Sequence, residues 1–507
     1  MRVLIVGSGP TGATYARRLI DGTPDVSVLM VEAGPVLSSP VGMNVRNIGD
    51  EEERLAARLA SQGPQSDVSG VAGIPTGTVV EGTITARQGT HLVGSPAPGS
   101  GGMPAAAVAT CVGGQGAHWT CATPQPAEGE RVDFIEPGKW ERHITAAEKL
   151  LHTTHNAFRG SPQAEAILKL VGDEFDADGI TVRPLPVAAD ANPDGSMRWA
   201  GTDVVLDGLA RPGADAGGRF ELRSETLCTR LVLDGDAVTG AVLRNVRTGD
   251  EETVTADAVV VAADAIRTPQ LLWASGIRPS ALGRYLTEHP LLFGVLAVRD
   301  GVLPPRQPGA KPVDPVSAVV GVSFRQDVHP FHAQLMYSPV CPVPLPPGDP
   351  HADNPAGYVG MGWGIRKWPR LEDRLTFDDS TPDSFGLPSV QIAYDLTDRE
   401  EAELDRARSF QARAAAVLGE FLPGMPVVMP AGSSLHYMGT VRMGPADDGT
   451  SVCDPDSRVW GVDRLYLAGN GLIPTANACN PTLTSVAFAV RGADRLAAEL
   501  SGKDTTS

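Results

Sequence analysis

No stretch of this 507-residue chain is apolar for long enough to cross a membrane, and its first residues already read as a strand of the fold rather than as a signal peptide. A cytoplasmic location without membrane attachment is the resulting expectation. Cysteine is scarce: the six (Cys111, Cys121, Cys228, Cys341, Cys453, Cys479) are scattered with no CxxC pair and no repeating spacing, which speaks against a zinc site and against a disulfide framework. Positive charge is short as well. With 42 Lys and Arg against 60 Asp and Glu, the net charge of −18 disfavours nucleic acid or an anionic membrane as a partner. Nucleophile elbow, HExxH and P-loop are all missing, so hydrolase chemistry has no motif to rest on, and no internal repeat is visible.

The N-terminus, by contrast, is rich in signal. RVLIVGSGPTGATYARRLIDGTPDVSVLMVEAG reads as an apolar strand, three glycines (Gly7, Gly9, Gly12), an amphipathic helix and a second apolar strand closing on Glu32, 20 residues after Gly12. A lone GxGxxG is weak, but between strand and helix with an acid at this distance it points to a dinucleotide. Gly7 permits the tight turn, Gly9 lets a pyrophosphate approach the helix N-terminus, Gly12 lets helix and strand pack closely, and Glu32 can accept from a ribose 2′-hydroxyl.

Further along, residues 51–62 read as a short surface helix and the Gly-, Pro- and Ala-rich 94–116 as loop. A β-meander is predicted over about 219–262, ending in the apolar DAVVVAADA, a buried parallel strand; IRTPQLLWASG then reads as a helix ending at Gly276. Residues 300–430 differ in character, with proline-rich stretches at 302–315 and 339–355 and alternating strands such as SVQIAYDL. The length allows two domains. The predicted division is a discontinuous nucleotide domain, 1–299 and 431–507, with insertions at about 36–117 and 131–200, and a sheet-based domain at 300–430 with a lid loop.

Near the C-terminus, His436 in LHYMGTVRMG is followed 44 positions later by Asn480 in NPTLTS. Asparagine at N-cap with proline at N1 is an ordinary helix start, so Asn480 reads equally as a backbone cap and as a chemical group. A histidine in a loop is likewise open to a structural reading.

The combination of VLIVGSGPTG with EAG, then GGQGAHWTCATP, ADAIRTPQLLWASG, HYMGTVRMG and GNGLIPTANACNPTLTSVAFAVRGADRLA resembles the glucose-methanol-choline oxidoreductase superfamily, and HWTCATP within it resembles pyranose oxidases and bacterial glycoside 3-oxidases. The resemblance implies an α/β fold, a Rossmann-like FAD-binding domain with a second α+β substrate domain on an antiparallel sheet. It implies FAD, with its ADP on Gly7, Gly9, Gly12 and Glu32, with Gly469, Asn470, Pro481 and Thr482 also against the cofactor, and with His436 and Asn480 facing the flavin. A neutral imidazole is matched to take a hydroxyl proton while hydride leaves the same carbon, and Asn480 can hold that oxygen. The helix starting at Pro481 would aim its positive end at the flavin N1/C2 carbonyl. In pyranose oxidases the histidine matching His118 is bonded to the flavin 8α-methyl and the threonine matching Thr120 lies at its N5/O4 edge. Here Ala117 stands where a threonine is usual, so His118 either carries that bond or only packs beside the flavin. Gln334, in HPFHAQLMYS, matches a sugar-binding residue, but Met336, Tyr337 and Ser338 replace a charged tripeptide of that family.

The implied reaction is oxidation of a secondary hydroxyl, at C2 or C3, of a pyranose or glycoside, with oxygen or a quinone as final acceptor. A dehydrogenase using another acceptor and a non-catalytic flavin module are the alternatives. No metal is expected: Pro330 breaks the helical spacing that His329 and His332 would need, and His152 and His155 read as surface or core positions. Trp363, Trp368 and Phe385 are candidates for stacking on a sugar or aglycone, each with core packing as the plainer reading.

Overall fold

The apolar run RVLIV becomes the central strand, Arg2–Val6, of a five-stranded parallel sheet in the computed structural model of the chain, which describes residues 1–62, 77–80, 83–192, 196–305, 316–343, 345 and 348–502. The strand order is Phe220–Arg223, Ser27–Val31, Arg2–Val6, Ala258–Val261, Leu465–Leu467, and every neighbouring pair is parallel. Such a sheet must be covered on its faces, which is why its strands read as continuous apolar runs. The helices Pro10–Gly22 and Thr482–Leu500 share its core. They approach so closely that a Cβ on Gly492 would run into the Tyr15 hydroxyl.

Two segments depart from the sequence reading. Phe220–Arg223, expected in the meander, is instead the edge strand of the parallel sheet, and the meander itself is Thr226–Asp234, Ala237–Asn245 and Glu251–Thr255. Between them Glu225 takes a left-handed backbone (φ 51°), which turns the chain from one sheet to the next. SVQIAYDL does form a strand, Pro388–Ala393, but pairs with Arg374–Pro382 and with Ser95–Pro96 in a separate small sheet. Its inward Val390 and Ile392 pack with Val93, Met103, Ala106 and Ile266, in a core separate from those of the two large sheets.

A second, antiparallel sheet runs in the order Gly419–Phe421, Leu291–Val298, Tyr358–Ile365, Phe331–Ser338, Ala318–Val322, Val182–Pro184, with Val427–Val428 also on Leu291–Val298. The helices Pro162–Phe175 and Asp398–Leu418 bury one face of it. The helices predicted over 51–62 and 266–276 form as Glu51–Ala60 and Asp264–Ala274, the second starting and ending two residues earlier. Much of the proline-rich 302–315, one of the two stretches proposed as a lid, lies outside the described residues. Among the described residues no helix is long and apolar enough to cross a membrane.

Candidate active site

The turn after Arg2–Val6 is built around its glycines. Gly7 has φ 101°, a Cβ there would strike the Ala262 carbonyl, and a Cβ on Gly12 would strike the Gly7 carbonyl. Gly9 is different: the nearest atom to its would-be Cβ is the Gly113 oxygen at 3.9 Å, so the surface of this turn is clear. Gly9 is also the N-cap of Pro10–Gly22 and offers no side chain to the first-turn amides, which are left for an anion. A cradle that side chains would fill, ending in uncapped amides, fits the pyrophosphate of a dinucleotide. Glu32 closes it. Its carboxylate accepts from the Ser8 amide (3.1 Å) and hydroxyl (2.8 Å) and from the Gly34 amide (3.1 Å). Burial raises its pKa, and the Ser8 and Gly34 bonds work against that rise.

From this cradle a cavity of ≈ 420 Å³ runs between the two sheets, and Gly7, Gly9, Glu32, His118, Thr120, Gly469, Asn470, Thr482, Gln334, His436 and Asn480 all line it. Gly12 and Pro481 stand behind the wall, the first at the helix–strand contact and the second at the helix start. His118 ends the short turn Gly114–Ala117, which is tied to the nucleotide loop by the Gly113 amide on Ser8 Oγ (3.0 Å). Its ring is packed against Gly89 and its Nε2 lies 3.8 Å from Cys111 Sγ. Burial, then Arg87 and Arg58, push its pKa down to about 3, so the ring is neutral.

The capping reading of Asn480 does not survive. The helix begins at Thr482 with Pro481, in helical conformation (φ −84°, ψ −12°), at its N-cap and no side-chain cap. The Asn480 amide is therefore left to the cavity. His436 sits on a loop held by Glu288: that carboxylate accepts from the Gly432 amide (2.5 Å) and the Ser434 hydroxyl (2.8 Å), and Ser434 Oγ accepts the His436 amide (3.1 Å). Burial lifts Glu288 to about 7 and lowers His436 to about 4. His436 Nδ1 meets His289 Nδ1 at 3.2 Å. A neutral imidazole and a primary amide thus line the same cavity as the dinucleotide cradle, a set of groups able to take a proton and orient the oxygen that loses it.

The strand Phe331–Ser338 also contributes to the lining. Its two-residue period puts His332 and Gln334 on the cavity side and buries Phe331, Ala333 and Leu335. His332 Nε2 bonds Glu130 Oε2 (2.8 Å), whose other oxygen accepts the Ala478 amide (2.7 Å), two residues before Asn480. Burial would raise the Glu130 pKa, but His332 and the backbone donors outweigh it and hold it low. None of Met336, Tyr337 and Ser338 is among the described residues lining the cavity; Tyr337 is buried with its hydroxyl on the Ala356 carbonyl (3.2 Å). Trp363 is core, its N–H donated to His329 Nε2 (3.0 Å), and Trp368 stacks on Arg399, whereas Phe385 does line the cavity. His289, Glu288, His332 and Glu130 were not picked out by sequence as site residues. The period of HPFHAQ carries a signal for His332 beside Gln334; the isolated Glu130 carries none.

Comparison with known proteins agrees with this architecture. Models of the GMC oxidoreductase family match residues 212–291 and 369–489. The chain is 45% identical to a C-glycoside 3-oxidase of Microbacterium trichothecenolyticum (98% of this chain, 96% of that one) and 43% identical to a C-glycoside 3-oxidase of Arthrobacter globiformis (98% and 95%). It is 30% identical to the pyranose 2-oxidase of Tricholoma matsutake (98% and 94%). Among solved structures, a formate oxidase of Aspergillus oryzae RIB40, studied for modification of its FAD, superposes with TM-score 0.70 at 15% identity (99% and 98% covered), and pyridoxine 4-oxidase with 0.65 at 19% (97% and 98%). At these identities the structures attest the fold.

Proposed function

Because the chain belongs to the GMC oxidoreductase family, we propose that it is an FAD-dependent oxidase that converts a secondary ring hydroxyl of a pyranose glycoside to a ketone, at C3 in preference to C2, with oxygen as final acceptor and a quinone as substitute. The preference for C3 follows the C-glycoside 3-oxidases at 43–45% identity over the pyranose 2-oxidase at 30%. Bound FAD supplies the two-electron acceptor. Gly7, Gly9 and Gly12 would shape the cradle for its pyrophosphate, Glu32 would accept from its ribose, and the N-terminus of Thr482–Leu500 would offer positive dipole to its ring system. Cytoplasmic residence remains part of the reading.

One observation carries it: a single cavity is lined both by the dinucleotide turn at Gly7 and Gly9 and by His436 and Asn480. With its pKa near 4, His436 is unprotonated at neutral pH and accepts the hydroxyl proton; Asn480 hydrogen-bonds the same oxygen and fixes the angle of the C–H bond. Gln334 and Phe385 contact the rest of the sugar or its aglycone. To His118, neutral and with its Nε2 3.8 Å from Cys111 Sγ, we assign the linkage to the flavin 8α carbon: a proton of the methyl would leave, the C–N bond would form, and the two electrons would pass into the flavin for oxygen to take up. The proposed division sets 1–299 with 431–507 apart from 300–430, with Pro162–Phe175, Val182–Pro184 and Leu291–Val298 lent to the second sheet and Arg374–Pro382 and Pro388–Ala393 in a small sheet of their own.

The test is product analysis on an O-glucoside and a C-glucoside, with oxygen and with benzoquinone, together with His436→Ala. The parent is expected to be yellow and to yield 3-keto product, and the variant to keep its flavin bands but bleach with sugar on the order of 10²–10⁴-fold more slowly. Colourless protein that fails to bind added FAD, or normal bleaching by the variant, would overturn the reading.

A further inference from the structure

Among the described residues, the His436 ring has its imidazole contact with His289. The segment 287–289 runs antiparallel to 436–438: Thr287 and Met438 exchange both backbone hydrogen bonds (3.0 and 2.8 Å), so the register sets His289 directly across from His436. The rings meet edge to face, centroids 4.9 Å apart, with the two Nδ1 atoms at 3.2 Å. His289 is buried (4% exposed), and its Nε2 has no partner among the described residues. Its polar contact is therefore the one to His436. Glu288, on the same segment, faces the other way, to Gly432 and Ser434, and His332 from the strand Phe331–Ser338 is bonded to Glu130.

Two neutral imidazoles sharing one Nδ1···Nδ1 hydrogen bond have two arrangements. If His289 donated, the proton of His436 would sit on Nε2 and no lone pair would remain for a substrate. If His436 donates, its Nε2 is bare. Once Nε2 has taken a proton, the His436 imidazolium donates from both nitrogens, and its neighbour at 3.2 Å must accept. We propose that His289 is a positioning residue for sugar oxidation, its Nδ1 accepting the Nδ1–H of His436 and so reserving His436 Nε2 for the substrate proton. In that step the substrate O–H bond breaks, an Nε2–H bond forms, and the hydride of the same carbon goes to the flavin. The inference rests on the reading of His436 as the base.

The tautomer is read directly by ¹⁵N NMR of histidine-labelled holoprotein, with His436→Asn and His289→Asn spectra assigning the signals. A bare His436 Nε2 and a protonated Nδ1 are expected; the opposite pattern would overturn the proposal. In stopped-flow reduction, His289→Leu, which fills the space without an acceptor, is expected to slow flavin bleaching about 10–100-fold at unchanged flavin spectrum and sugar KM, and to move the acid limb of the rate to lower pH. His289→Asn, whose Oδ1 replaces Nδ1 as acceptor, is expected to recover the rate to within a few fold. Equal losses in both variants would mean a structural role only and would sink the idea. His436→Ala separates the two levels: if it bleaches normally, the reading of the base fails; if it is dead while His289→Leu matches the parent, only this inference fails.

Discussion

At the scale of single residues, the proposed chemistry depends on keeping imidazoles neutral. Burial holds His118 near 3 and His436 near 4, and for His118 the nearby Arg87 and Arg58 add to the effect. A neutral ring nitrogen is a nucleophile, so the assigned His118 linkage has a simple check. Acid precipitation of the parent is expected to give a yellow pellet, and His118→Ala a yellow supernatant from a protein that still binds FAD. A white pellet from the parent would remove the covalent bond from the proposal. At this scale the sequence was legible where a motif framed the residue, as for Gly7, Glu32 and His436. It was silent on Glu288 and Glu130, because their importance lies in which loop amides they accept, and those amides come from residues 144 and 348 positions away.

At the scale of elements, the helix Thr482–Leu500 changes the meaning of Asn480. Removing a true N-cap asparagine costs about 1 kcal/mol of stability. Since Pro481 occupies that place with no side-chain bond, Asn480→Ala is expected to leave the unfolding temperature nearly unchanged while slowing flavin reduction on the order of 10²-fold. Thermal unfolding and single-turnover kinetics on the same preparation decide it; a large loss of stability with normal reduction would restore the capping role. The strand Phe331–Ser338 makes a parallel point. Its alternation was readable and puts His332 and Gln334 together, but which face meets the cavity is decided by the helices Pro162–Phe175 and Asp398–Leu418, which claim the other one.

At the scale of the whole molecule, buried histidines tie stability to pH. His329, in the core of the second sheet, binds the Ser323 carbonyl through Nδ1 (3.0 Å) and receives the Trp363 N–H on Nε2 (3.0 Å), so protonating it breaks a bond as well as burying a charge. Its folded pKa of about 4 lies below the 6.5 of an exposed histidine, chiefly through burial. The folded state therefore binds fewer protons in between, and the stabilisation, full above about 6.5, is lost as pH falls through about 4. His91 and His143, also near 4, have the same sign; Glu288, raised to about 7, has the opposite one, its contribution being lost as pH rises through 7. Melting curves from pH 7.5 to 4 are expected to show a smaller acid loss for His329→Gln than for the parent, from a lower starting point. Identical acid slopes would rule out this account.

The sequence by itself determined the parallel sheet and the dinucleotide turn, because each rests on local rules: apolar runs, glycine at positive φ, and an acid at fixed spacing from the last glycine; His436 and Asn480 were named as site residues only through the family resemblance. Only the tertiary structure decided that Asn480 is free of its helix, that Phe220–Arg223 extends the nucleotide sheet, and that His289 stands against His436. Those three outcomes depend on the left-handed turn at Glu225, the helical conformation of Pro481 and the Thr287–Met438 register, which joins segments about 150 residues apart. No local pattern specifies such a pairing; it follows from how the two sheets close around one cavity.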